Sequence, residues 1–95
     1  MRMQREKLAS YIGISMQAGY AIIGSDNLSK YNKKLYLALI DASAGKASQK
    51  VASKLKERGI EARTVEGLSE LTHGSIKIIG FKNKALADEI KKYLN

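Results

Sequence analysis

Leu35-Tyr36-Leu37-Ala38-Leu39-Ile40 is the longest unbroken apolar run in the chain. Six residues fall far short of the roughly 20 that span a bilayer. A run apolar on both faces predicts a strand covered by helices on both sides of a sheet. The rest of the chain supplies those helices. Downstream, Ala47, Val51 and Leu55 predict a helix over about 44–58 with Gly59 as its C-cap. Ile60 to Val65 alternates apolar and polar residues, the pattern of a strand near a sheet edge. A helical turn around Ser69–Thr72, a buried strand over Ile76–Phe81 and a last helix capped by Asn83 and carrying Leu86, Ile90 and Leu94 complete that side.

Upstream, Leu8, Ile12 and Met16, with Tyr11 beside them, recur at helical spacing, and Gly19 is placed to end that helix. Tyr20–Ile23 reads as a short strand, and Ser25 as the cap of a short helix running to about Asn32. Helix–strand repeats four times before a final helix. The expected fold is therefore α/β: a three-layer α/β/α sandwich with a central mixed four-stranded sheet. The chain has no proline and shows no linker or internal repeat, so residues 1–95 form a single domain.

The composition narrows the chemistry. The 95 residues include 44% hydrophobic and 27% charged side chains, an ordinary globular balance. Without cysteine there is no disulfide framework, thiol nucleophile or Cys-ligated zinc, and one histidine makes a His-based metal site implausible. A net charge of +8 points to a polyanionic partner, nucleic acid before anionic membrane. Arg2, Arg5 and Lys7 precede an apolar stretch over 8–23, but Ser10, Gly13, Ser15 and Gln17 interrupt it, which disfavours a signal peptide. A cytoplasmic protein is expected.

The charge is uneven. Residues 1–60 carry eleven basic and four acidic side chains, whereas residues 61–95 carry six and five. Lys30, Lys33 and Lys34 surround the end of the second helix. Lys46, Lys50, Lys54 and Arg58 recur every fourth residue on the third. That stripe is either a solvated face or a phosphate-tracking surface.

Motifs for catalysis fail. Asp41-Ala42-Ser43-Ala44-Gly45-Lys46 lies between a strand and a helix, where a phosphate-binding loop belongs. Ile40 stands in place of the first glycine and Ala47 in place of the Ser/Thr, so the NTPase pattern is broken. There is no dinucleotide fingerprint, and His73 has no partner in sequence. Asp41 suits capping or turn formation better than catalysis. No enzymatic activity and no cofactor are expected.

Three stretches, Lys7-Leu8 through Ala18-Gly19, Gly24 through Lys30, and Leu37 to Ser43 ending Leu-Ile-Asp-Ala-Ser, resemble in order and spacing the YlxQ-type bacterial members of the kink-turn-binding ribosomal protein family. These are relatives of the L-seven-Ae and L-thirty-e proteins, and the similarity runs from about Arg5 to Leu94. The resemblance implies an α/β/α sandwich that binds structured RNA without catalysis. In that family a glycine opens the second helix, Asn-Glu follows after one residue, and a Lys stands three residues beyond the Glu. Gly24 and Lys30 match; Asp26 occupies the Asn slot and Asn27 the Glu slot, with Ser25 between. A glycine lets the backbone approach, Asn and Lys donate to purine acceptors, and Glu accepts from base amino groups.

By the same resemblance, the turn holding Asp41 and Ala42 and a shortened loop, Leu71-Thr72-His73-Gly74-Ser75, complete the RNA-binding edge. Leu71 could equally be core. Lys33 and Lys34 would supply phosphate contacts. The expected partner of a monomeric protein is ribosomal RNA or another kink-turn RNA, with ribosomal proteins as a further class. The alternative is a protein-interaction module whose basic third helix meets an acidic partner.

Overall fold

The computed structural model describes residues 2–94, and in them helices and strands alternate strictly. The order is α1 (Arg2–Gln17), β1 (Ala21–Ile23), α2 (Ser25–Lys30), β2 (Leu37–Asp41), α3 (Lys46–Glu57), β3 (Ala62–Val65), α4 (Leu68–Thr72), β4 (Ile78–Phe81) and α5 (Lys84–Lys92). The four strands form one sheet in the order β1-β4-β2-β3. Here β2 and β3 are parallel, while β4 runs antiparallel to both β1 and β2, so the sheet is mixed. The two central strands are buried along their whole length, and β3, with its alternating sequence, lies at an edge.

Because successive strand side chains point to opposite faces, the central strands feed two cores. Leu37, Leu39, Ile79 and Phe81 pack with Leu8 and Ile12 of α1, Leu68 and Leu71 of α4, and Ala87 and Ile90 of α5. Ala38, Ile40 and Ile78 pack with Leu28 of α2 and Val51, Ala52 and Leu55 of α3. Three helices cover one face and two the other. The N-terminal stretch with the basic start is helix α1, with Leu8, Ile12 and Ser15 buried.

Local details depart from the sequence reading in several places, and the strand expected over Ile76–Phe81 begins at Ile78, with Ile76 half-buried outside it. On α3 the buried set is Ser48, Val51, Ala52 and Leu55, and Ala47 is exposed. A strict spacing of four drifts about 40° per step around a helix of 3.6 residues per turn, so Ala47 rotates off the apolar face. Ser25 is the first helical residue of α2 rather than its cap; Gly24 holds the cap position without a side-chain hydrogen bond. The strand after Lys34 begins at Leu37, although Leu35 is buried beside α2 and α3. Asn83 caps α5 as its sequence suggests, accepting from the Leu86 amide at 2.9 Å.

One close approach sets the height of α2. A Cβ added at Gly80 would stand 2.7 Å from Leu28 Cδ2, so the bare backbone of β4 lets α2 settle onto the sheet.

Candidate nucleic-acid interface

Strands β1, β2 and β3 run in the same sense, so their C-terminal ends share one end of the sheet with the start of β4. Hydrogen bonds tie that end together. The Gly24 amide donates to the Ile78 carbonyl at 3.1 Å, Asp41 to Lys77 at 2.8 Å and Ala42 to Val65 at 2.8 Å. The topology thus gathers the Gly24 opening, the turn after Asp41 and the segment leading from α4 into β4.

Gly24 has φ 94 and ψ 153, a conformation essentially reserved for glycine. A Cβ built there meets nothing within 4 Å, so its surface is open to an approaching molecule. Ser25 is half-buried, while Asp26 is exposed in the first turn, where the helix dipole favours a carboxylate. Asn27 donates its Nδ2 to the Ile23 carbonyl at 2.8 Å. Its amide donor is used locally, and its exposed Oδ1 remains an acceptor.

Helix α2 forms a ridge between two hollows. On the β1 side, Ala21, Ile22, Ile23, Asn27, Lys30 and Tyr31 line one of them. On the α3 side, Ser25, Asp26 and Ser29 face Ala47, Lys50, Val51 and Lys54.

The loop after α2 is clipped to α3. Arg58 donates to the carbonyls of Tyr31 at 3.1 Å and Lys33 at 2.9 Å. Arg58 therefore leaves the lysine stripe with which its spacing grouped it. Lys34 parts from Lys30 and Lys33 as well. Its ammonium lies 5.2 Å from the Tyr36 ring centroid, and Tyr36 packs toward the α1, α4 and α5 core.

Three residues assigned to the RNA-binding edge are internal. Asp41 is buried; its carboxylate accepts from the Ser43 amide and hydroxyl and from the Leu68 amide at 2.8 Å, with Lys77 Nζ at 3.7 Å. These bonds, led by the Ser43 hydroxyl, pull its pKa from 3.8 to about 2. It is an anchor joining β2 to α4. Leu71 is 3% exposed in the core, and Thr72 is buried with its hydroxyl bonded to the Leu68 carbonyl. Both belong to α4 because its short turn must seat Leu68 and Leu71 together on the sheet. Ala42, His73, Gly74 and Ser75 are exposed at the gathered end. His73 closes α4 in the left-handed conformation with φ 57.

Two residues at this end escaped the sequence reading. Ser43 closes an Asx turn on Asp41, a signal present in the Asp-x-Ser spacing. Lys77 donates to Ser43 Oγ at 2.9 Å, which nothing local predicts.

Among the described residues, no ion pair involves α2 or α3, and Lys7 of α1 and Lys82 before α5 are likewise outside the pairs. The pairs are Arg5–Glu70, Arg63–Glu61, Lys77–Asp41, Lys84–Asp88, Lys91–Glu61 and Lys92–Glu89. Among the described residues, none engages Lys30, Lys33, Lys46, Lys50 or Lys54. Nor do the described residues contain a metal-binding group of three or more His, Cys, Asp or Glu side chains. No described helix is long and apolar enough to cross a membrane.

No family model matches the chain, and no curated protein matches it. A solved structure from Bacillus halodurans C, described as a protein with unknown function, has the same architecture. It is 19% identical, with a TM-score of 0.78 over 92% of this chain and 95% of that one. At that identity the likeness concerns the fold alone.

Proposed function

We propose that this protein is a non-enzymatic, cytoplasmic RNA-binding protein, associated as a monomer with ribosomal or other structured RNA that carries a kink-turn-like bend. The observation that carries the reading is the open Gly24 turn at the start of α2, with Lys30, a cation without a carboxylate partner among the described residues, in the hollow that Ile23 and Asn27 line. Two further features support it. The Asn27 carbonyl oxygen offers an acceptor where the family resemblance places Glu. Ala42 and His73–Ser75 are exposed at the same end.

Binding of a labelled kink-turn RNA, against the same RNA with its sheared G·A pairs replaced by Watson–Crick pairs, tests this. The wild type is expected to prefer the kink-turn, and Lys30→Ala to erode that preference about five-fold or more, as loss of a base-edge contact does. Equal affinity of the wild type for both RNAs would overturn the reading. The second reading, an acidic protein docked on α3, draws on the unpaired Lys46, Lys50 and Lys54.

A further inference from the structure

We infer that the outer face of α2 and α3 is a second contact zone, which tracks the phosphate backbone of an RNA stem leading away from the Gly24 end. The inference rests on the RNA-binding reading above and extends it from one end of the sheet to a whole helical layer. Sequence alone leaves the two lysine clusters as separate features; the fold makes them neighbours. Lys50 and Lys54 share a groove with Ser25, Asp26 and Ser29 of α2. Ser48, Val51, Ala52 and Leu55 face the sheet, leaving Lys46, Lys50 and Lys54 exposed on the outside. From Lys46 to Lys54 is about 12 Å of helix axis, enough to meet several successive phosphates.

The groove suits a sugar–phosphate backbone. Ser25, Ser29 and Ala47 are small and keep its floor open. Arg58 contributes by position: its grip on the Tyr31 and Lys33 carbonyls holds the loop bearing Lys33 against the far end of α3. Asp26 and Glu57 are the acidic residues of these two helices, and neither is paired with a lysine of this face among the described residues. Asp26 repels phosphate and directs the backbone toward the α3 wall.

An acidic protein would be drawn by the same charge, but protein interfaces depend on buried aromatic or aliphatic anchors. No large hydrophobic side chain is exposed on this face. Among the described residues, those exposed are Ile14 and Tyr20, on α1 and before β1. Lysines without apolar anchors match a partner bound through counterion release.

The test uses the full chain, a plain RNA duplex, a kink-turn RNA and a poly-glutamate peptide, with binding followed by fluorescence anisotropy over a salt series. The double variant Lys50→Ala/Lys54→Ala should bind the plain duplex about ten-fold more weakly at low salt, with a log–log salt slope shallower by about two. Its ratio of kink-turn to duplex affinity should stay near the wild-type value, and its melting temperature should not change, because both side chains are exposed. Unchanged duplex affinity and slope would overturn the inference, as would a wild type that does not bind duplex at all. Loss of poly-glutamate binding with duplex binding intact would overturn it in favour of the acidic protein. A wild type that binds duplex through these lysines without preferring the kink-turn supports this surface and defeats the reading of the Gly24 end.

Discussion

The Asp41 carboxylate accepts a hydrogen bond from the Leu68 amide at 2.8 Å, across 27 residues of sequence. The acid at the end of β2 thereby holds the first amide of α4 and fixes the segment that leads to His73. The sign of its pH dependence follows from its depressed pKa. With an ordinary value of 3.8 and a folded value of about 2, its contribution is fully present above pH 4 and is lost as pH falls through about 2. The shift corresponds to about 2 kcal/mol. Urea midpoints measured from pH 5 to pH 2 should fall over this window, and Asp41→Asn should be less stable at neutral pH with a flatter acid limb. Glu61, bonded to Arg63, and Asp88, bonded to Lys84, are also lowered, but they are more exposed and contribute less. A variant with the full wild-type acid slope would show that Asp41 is not the group responsible.

That bond also marks where sequence reading stops. The Leu35–Ile40 run shows its own role, because a strand buried on both faces needs no polar alternation. Asn83 shows its role too, since its capping partner Leu86 lies three residues away. Asp41–Leu68 and Arg58–Lys33 join residues 27 and 25 apart, and no periodicity encodes such pairs. Leu71 illustrates a different limit. An apolar residue three positions before a glycine suits either an exposed recognition loop or a core, and only the packing of α4 decides for the core.

Gly24 and Gly13 provide a matched pair. A Cβ at either position meets nothing within 4 Å, so crowding plays no part in either substitution. Gly24 has φ 94, and Gly24→Ala should cost about 1–3 kcal/mol in backbone strain. Gly13 lies inside α1, where Gly13→Ala should stabilise by about 0.5–1 kcal/mol through helix propensity. Denaturant titration of both variants should give opposite signs; the same sign for both would refute the strain at Gly24.

His73 pays a conformational cost at the gathered end. It is the non-glycine residue with positive φ, at 57°, among the described residues, a conformation that costs an L-residue about 1–2 kcal/mol. His73→Gly relieves that strain and restores some unfolded-chain entropy, so a net gain of about 0.5–1 kcal/mol and a melting temperature several degrees higher are expected. If the exposed imidazole meets RNA, the same variant binds a kink-turn more weakly while its affinity for a plain duplex holds. Thermal melts and RNA titrations on one preparation separate the two effects.

Asp26 stands where charge, helix stability and RNA binding conflict. In the first turn of α2 its carboxylate is favoured by the helix dipole, worth about 0.3–1 kcal/mol. In the groove shared with Lys50 and Lys54 it is a negative charge facing the path assigned to phosphate. Asp26→Asn should therefore lower thermal stability slightly and tighten RNA binding. Removing one charge acts on kink-turn and duplex alike. The restored amide donor acts only where a guanine edge is presented, and a good base-edge contact is worth about 1–3 kcal/mol. The expected result is a gain of about five-fold or more for the kink-turn and a smaller gain for the duplex. An equal gain for both would place Asp26 beside phosphate but away from bases. Unchanged affinity for both, with the small stability loss still present, would reduce Asp26 to a first-turn residue serving its own helix and remove it from the interface.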